Sequence, residues 1–275
     1  MADGAHRLPP ALADDFGPAL LELCQQQQIG MVVPTIDTEL PVLAKLRDDF
    51  ENHGIAIIVS DQAFIAECAD KRLTRQLFEQ IGVSTPAVHT WPAVPGYPLF
   101  AKPFDGSASV GARVLHNHAE AAAAVAESDR LLLCDYYSPE HHDEFTVDCY
   151  FDRSSVLRCA VPRERIEVRN GEVAQARTAR NELSRELFER VPTLPGARGI
   201  VTVQAFIERE QRTTAYIEIN ARVGGGYPLS RLAGADFQQL LIDEYLNDQP
   251  VATFDNWHDG ALMLRYDAEV VRFKT

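Results

Sequence analysis

The sequence predicts an α/β protein assembled from α+β subdomains, and three observations carry that prediction. Two compact apolar runs, Ile29 to Pro34 and Ile55 to Val59, flank a helical stretch at 39–53, the pattern of parallel strands covered on both faces. From Glu144 onward the pattern changes to alternating strands in antiparallel succession. The third observation is the stretch from Ala215 to Gly226, where Ile217, Ile219, Ala221 and Val223 alternate with Glu218, Asn220 and Arg222 and run into three glycines. Period two places the three polar groups on one strand face. A glycine triplet lets a backbone approach a ligand closely.

Taken in order, residues 1–13 read as loosely attached, with Pro9-Pro10 as a breaker. A helix with an apolar face of Leu20, Leu21, Leu23 and Cys24 spans 16–28. Asp37 or Thr38 is placed to cap the helix at 39–53, which Gly54 ends. A short helix at 61–69 and a second through Gln80 follow, and the domain boundary is expected between 82 and 88. The expected division is therefore 1–84 and 85–275, the second part comprising a small subdomain at about 85–134 and a large one at about 135–275. Leu99 to Pro103 and Ala112 to Leu115 are strands joined by the glycine- and serine-bearing loop 104–111. A helix at 118–127 and a strand at 131–137 follow, then strands at 144–152 and 155–161, a basic polar stretch at 163–180 and a helix at 182–190. Val201 to Ile207 is a strand, Glu208 to Thr213 its turn, and Leu229 to Leu246 a helix with Leu232, Ala233, Phe237, Leu240, Leu241 and Tyr245 inward. Residues 251–273 read as closing strands.

With 46% hydrophobic and 24% charged residues, the composition is that of an ordinary globular chain. A formal charge of −14 argues against nucleic acid or an anionic membrane as a partner. No apolar run reaches membrane-spanning length, and the first residues lack the apolar core of a secretory signal. Five scattered cysteines without a Cys-x-x-Cys fit a reducing cytoplasm.

A hairpin centred on Gln211 sets Gln204 directly opposite Glu218, about 5 Å apart Cβ to Cβ. Gln204, Glu218 and Asn220 offer oxygen ligands and no sulfur or imidazole, a set suited to a hard cation such as magnesium or manganese. The pair His141-His142 lacks third and fourth ligands at useful spacing and reads as loop. Neither a P-loop nor a Gly-x-Ser-x-Gly elbow occurs.

Together these pieces resemble the ATP-grasp superfamily, on the branch typified by the large subunit of carbamoyl-phosphate synthase and related carboxylate–amine ligases. The resemblance covers roughly residues 20–247. It implies an ATP-grasp fold preceded by a parallel α/β pre-ATP-grasp domain, and ATP with magnesium as cofactors. It also implies that Lys71, opening a helix after Asp70, and Lys102, in Phe100-Ala101-Lys102-Pro103, meet the phosphates beneath a loop carrying Gly106 and Ser107. Asp135, Tyr136 and Tyr137 then fall on the adenine-reading linker, Glu144 on the ribose, Gln204, Glu218 and Asn220 on the metal, and Arg222 and Lys102 on the transferring phosphate. Arg163, Arg165 and Gly224 to Gly226 are candidates for the acceptor pocket, against a solvated basic loop.

The sequence departs from the family pattern in three places. The strand–helix–strand that usually opens the N-terminal domain is missing, so that domain is expected to be truncated, with upstream residues or a partner chain covering its sheet, or a homo-oligomer doing so. Ala221 stands where the carbamoyl-phosphate synthases have proline, which favours an amino acid or other small carboxylate over bicarbonate. Asp135 is one methylene shorter than the usual glutamate. The expected activity is an ADP-forming ligase that activates a carboxylate for attack by an amine, the alternatives being a carbamoyl- or carboxyphosphate synthase and a non-catalytic nucleotide-binding module.

Overall fold

The structure, a computed structural model, describes residues 3–106, 110–169, 171–266 and 271. Helix α1 (Phe16–Gln26) and α2 (Leu40–Asn52) flank a two-stranded sheet of β1 (Met31–Val32) and β2 (Ala56–Ile57), which pair in parallel as Met31↔Ala56 and Val32↔Ile57. The ladder is shorter than the apolar runs that predicted it. Asp37 and Thr38 do not cap α2. A 3-10 turn at Asp37–Glu39 precedes the helix, and the Glu39 carboxylate accepts the N–H groups of Thr35 and Ile36. Helices α3 (Gln62–Ala69) and α4 (Lys71–Gln80) complete this part, with the Asp70 carboxylate capping α4 through Arg72 N–H.

A second sheet, in the order β3-β6-β4-β5, is built from β3 (Val88–His89), β4 (Leu99–Pro103), β5 (Arg113–Leu115) and β6 (Leu131–Asp135). Helix α5 (His118–Glu127), which the sequence predicts with the same bounds, buries Ala121 and Ala124 against Leu99, Ala101, Leu115 and Leu133. The lone alanine stripe suffices because the sheet supplies the bulk.

The main body is an antiparallel six-stranded sheet in the order β11-β10-β7-β8-β9-β12. Its strands are β7 (His142–Phe151), β8 (Leu157–Arg169), β9 (Glu172–Thr178), β10 (Gly199–Glu208), β11 (Thr214–Asn220) and β12 (Leu262–Leu264). The stretch 163–180, read from sequence only as basic and polar, supplies much of the long β8–β9 hairpin, whose second strand ends at Thr178. Its arginines mask an alternation whose buried members include Ala174, Ala176 and Thr178. Helix α6 (Glu182–Arg190) has the predicted bounds. The predicted single helix 229–246 is two helices, α7 (Pro228–Leu232) and α8 (Phe237–Tyr245), broken at Gly234, whose φ of +108° no helix contains. Leu232, expected inward, is 82% exposed because the break turns it to solvent. Of the closing strands expected over 251–273, β12 is present; residues 267–270 and 272–275 lie outside the described residues.

The two faces of the large sheet have different fates. One carries Phe145, Val147, Cys149, Val201, Val203, Ala205, Ile207 and Ile219 into a core shared with Phe16, Leu43, Phe50 and Phe64 of the N-terminal helices. The other is apolar only at one end, where Tyr150, Cys159, Val161 and Ile200 meet Tyr227, Phe237, Leu241 and Trp257. At the opposite end it carries Glu144, Thr146 and Asp148 of β7, Arg163 and Arg165 of β8, and Thr202 and Gln204 of β10, brought side by side by the register Thr146↔Arg163, Gln204↔Thr146 and Thr202↔Asp148. No helix among the described residues is long and apolar enough to cross a membrane.

Gly199 opens β10 at φ +68°, with a hypothetical Cβ 2.5 Å from Ile58 Cγ2. Gly199→Ala therefore combines backbone strain with a collision at the junction of sheet and N-terminal helices. It should lower unfolding free energy by at least about 1 kcal/mol. Urea titration with an unchanged midpoint would refute this.

Candidate functional site

The polar end of the large sheet faces the second sheet across a cavity of about 510 Å³. Its floor is set by the β10–β11 pairing, in which Gln204 stands opposite Glu218 and Thr202 opposite Asn220, the register predicted from the hairpin centre. The ladder shifts just beyond, between Gln204 and Ala205, so that Ala205 pairs with Tyr216. A bulge of this kind resets the alternation. Tyr216 takes the core position, and Ile217, expected on the apolar face, lines the cavity instead. Asn220 Nδ2 donates to Glu218 Oε1 at 3.1 Å, which leaves the Asn220 carbonyl oxygen and the second Glu218 oxygen for another partner.

Two lysines close on these oxygens from separate elements. Lys71, at the first turn of α4, places Nζ 4.0 Å from Glu218 Oε2 and donates to Gly106 O at 2.9 Å. The helix start is tied to the same loop, since Lys71 N–H donates to Phe104 O and the Arg72 guanidinium lies 3.7 Å from the centre of the Phe104 ring. Lys102 rises from β4, where burial lowers its pKa; the Cys134 thiol and Glu218 oppose that shift, and Lys71 adds to it. Gly106 lines the cavity, and Ser107 lies outside the described residues.

At one end of the cavity, Tyr136 and Tyr137 line the wall after β6. Tyr137 stacks on His142 with ring centres 4.6 Å apart, and Phe206 meets Tyr137 edge-on at 5.4 Å. Asp135 lines the cavity beside them, and its carboxylate accepts Ala87 N–H at 3.1 Å and meets His89 Nε2 at 2.7 Å. Glu144 forms an ion pair with Arg165 at 3.0 Å, and burial raises its pKa against the opposing effect of that guanidinium.

At the other end the residues are packed more tightly. Arg163, named from sequence as an acceptor-pocket candidate against a solvated basic loop, is 1% exposed and bonded through Nε and Nη2 to both Asp148 oxygens at 2.6 and 3.0 Å. Ser230 Oγ of α7 donates to the same carboxylate at 2.6 Å. Arg163 Nη1 has no hydrogen-bond partner among the described residues and lies against Gly226, where a Cβ would collide with it. Close approach thus constrains Gly226 against the clamped Arg163; a Cβ at Gly224 would press on Thr202, and one at Gly225 would meet only the end of the Glu172 side chain. Arg222 does not continue the strand face, since β11 ends at Asn220. A turn from Arg222 N–H to Asn220 O follows, and Thr202 Oγ1 donates to Arg222 O at 2.6 Å. Its guanidinium still lines the cavity, but is held by Asp37 at 2.8 and 2.7 Å.

Sequence reasoning passed over Asp37, Asp148, Thr202, His142 and Phe206. Period two from Glu144 already places Asp148 on the cavity face, and period two from Gln204 places Thr202 and Phe206 there. Asp37 carries no local signal beyond a cap-like composition.

With this geometry in hand, the chain belongs to the ATP-grasp family: residues 68–226 match its ATP-grasp domain. Residues 1–58 match the PylC-like N-terminal domain, so a small pre-grasp unit precedes it. Similar solved structures include the biotin carboxylase domain of Hydrogenobacter thermophilus 2-oxoglutarate carboxylase, in complex with MgADP, ADP and bicarbonate (TM-score 0.69, 15% identity, 94% of this chain and 62% of that one). They also include the L-amino acid ligase from Bacillus licheniformis (TM-score 0.63, 18% identity, 87% and 62%) and biotin carboxylase from Campylobacter jejuni (TM-score 0.63, 14% identity, 85% and 58%). At these identities the likeness is one of fold, and the chain spans less than two thirds of the length of each. No curated protein sequence gives a significant match.

A lysine with a lowered pKa is one whose charge the fold disfavours. Lys102→Met should therefore raise Tm at neutral pH while weakening nucleotide binding by more than about tenfold, the loss of a charge-assisted bond. The unfolded chain holds this proton to higher pH than the folded one, so the parent's deficit should fade as pH rises into the ordinary lysine range. Melting curves and calorimetry on both proteins test the pair of effects; a lower Tm for the variant would refute the first. Asp148→Ala, which leaves Arg163 buried without its counter-ion, should cost about 3–5 kcal/mol in denaturant unfolding.

Proposed function

We propose that the chain binds ATP and catalyses ADP-forming activation of a small carboxylate, which then reacts with an amine to give an amide. The observation that carries this reading is the convergence of Lys71 and Lys102 on Glu218 beside Gln204 and Asn220, between two sheets. Two ammonium groups next to one carboxylate and two amide oxygens suit a triphosphate together with a hard cation. Among the described residues no three His, Cys, Asp or Glu side chains form a closed metal cage, so such a cation would need phosphate and water oxygens as further ligands.

In this reading Gln204, Glu218 and Asn220 would hold magnesium, which neutralises charge on the phosphate oxygens when bound. Tyr136, Tyr137 and the His142–Phe206 cluster offer flat surfaces for the base, and Glu144 an acceptor for the ribose hydroxyls. Arg165 shares Glu144, so it belongs to that end rather than to the acceptor. Arg163 Nη1, Thr202 and the Gly224–Gly226 segment line the acceptor end. Arg222 faces the junction of the two, where a guanidinium can bind two oxygens at once. The protein's contribution is positioning and charge stabilisation rather than covalent chemistry. The Bacillus licheniformis ligase supports an amino acid as carboxylate or amine, and the bicarbonate of the Hydrogenobacter structure makes carboxyphosphate formation the competing reading.

ADP release measured with a panel of amino acids, other small carboxylates and bicarbonate, each with and without amines, separates these readings. Stimulation by an organic carboxylate and an amine together is the expected outcome. Stimulation by bicarbonate alone would favour carboxyphosphate, and ATP binding without turnover would leave a nucleotide-binding module. With an active pair in hand, Glu218→Gln should reduce magnesium-dependent turnover more than Gln204→Ala, because a charged oxygen neutralises the cation whereas an amide only orients it. Arg222→Lys should bind ATP nearly as the parent does but lose on the order of 100-fold in turnover.

A further inference from the structure

The turn that opens α2 belongs to the N-terminal helices, yet one of its side chains reaches Arg222, which lines the cavity. Glu39 accepts the N–H groups of Thr35 at 2.6 Å and Ile36 at 3.1 Å, closing residues 35–39 on themselves. Asp37, within that closed turn, meets the Arg222 guanidinium side-on, taking Nε at 2.8 Å on one oxygen and Nη2 at 2.7 Å on the other. Arg222 Nη1 donates to Val223 O at 3.2 Å. A guanidinium has five N–H groups, and these bonds use three of them. One remains on each Nη nitrogen, the pair that meets an anion end-on.

An arginine that is 21% exposed at a cavity wall would otherwise sample several rotamers, and ordering it at each turnover costs entropy. A two-oxygen clamp removes that freedom in advance. The chemistry at this position is narrow. An amide presents one acceptor oxygen and a nitrogen that repels the fork, and a glutamate moves the acceptor by a methylene. The neighbouring acids are otherwise committed: Glu39 to its own turn and Glu218 to Asn220 and Lys71.

We infer that Asp37 is a positioning residue supplied by the N-terminal domain. It fixes Arg222 so that its remaining N–H pair meets an oxygen of the phosphate or carboxylate that reacts in the cavity. This inference rests on the proposed activation of a carboxylate by ATP. A tie between the N-terminal turn and the sheet without a positioning role would affect stability alone.

The test uses the full chain as the parent, Asp37→Asn, Arg222→Lys and the double variant. For each, kcat and KM for the active carboxylate, ATP affinity by calorimetry and Tm are measured. Asp37→Asn should lose roughly tenfold or more in kcat, with ATP affinity and Tm close to the parent's. In the Arg222→Lys background the same change should cost nothing further, because Asp37 acts through that guanidinium. Parent-like kcat, a fall confined to Tm, or losses that add in the double variant would each overturn the inference. An independent readout is the nitrogen-15 Nε–H resonance of Arg222, assigned by its absence in Arg222→Lys. Slow solvent exchange of that proton in the parent and its loss in Asp37→Asn support the clamp, and equal exchange in both overturns it. If no carboxylate stimulates ADP release, the proposed function fails while this resonance still decides whether Asp37 fixes Arg222.

Discussion

The pairing of Gln204 with Glu218 is the constraint on which the site depends. A strand that slips by one residue sends every side chain to the opposite face, which here would bury Glu218 and Asn220 beneath the N-terminal helices and expose Ile219. The apolar partners forbid it. Val203, Ala205, Ile207 and Ile219 are at most 3% exposed in the shared core. The bulge beyond Gln204 then lets Tyr216 enter that core three residues before Ile219, rather than two or four. Packing on one face thus fixes the oxygen set on the other, and the N-terminal helices stabilise the site without lining most of it.

The second sheet stands in a different relation to the cavity. It contributes Lys102, whose ammonium is held beside apolar strand neighbours and near a second lysine. An anion brought beside it would relieve that cost, so the penalty of keeping the lysine there would add to the anion's binding. Lys71 is less constrained, having both Glu218 and Gly106 O as partners. The two lysines therefore differ in kind: one is a stored electrostatic demand, the other a partly satisfied ion pair that would have to re-partner.

Much of this arrangement was legible in the sequence where a local rule and the fold agree. Helices α5 and α6 have the bounds read from sequence, and each begins at its own Asn cap; the hairpin register followed from the polar turn between two apolar strands. The misreadings have a common physical form. The burial of Arg163, which the sequence left open between an acceptor pocket and a solvated loop, was hidden because its counter-ion, Asp148, lies fifteen residues away on the neighbouring strand. Asp37 looks like a helix cap because its partner is 185 residues distant. The helix at 229–246 looks continuous because a lone Gly234 is tolerated in helices, and here His258 N–H takes the Ala233 carbonyl that an unbroken helix would have used. Side chains whose partners are remote in sequence carry no periodic signal.

The Arg163–Asp148–Ser230 cluster restricts how this cavity can change over generations. Gly226 has no room for a side chain, Arg163 cannot lose its counter-ion, and Ser230 ties α7 to that counter-ion. Variation in this end of the cavity is thereby channelled to the β8–β9 hairpin, where Val168 and Glu172 line it from exposed positions. The evolvable part of the pocket is a fringe around an immovable floor, and a lineage drifting between acceptors would record its history in those few positions.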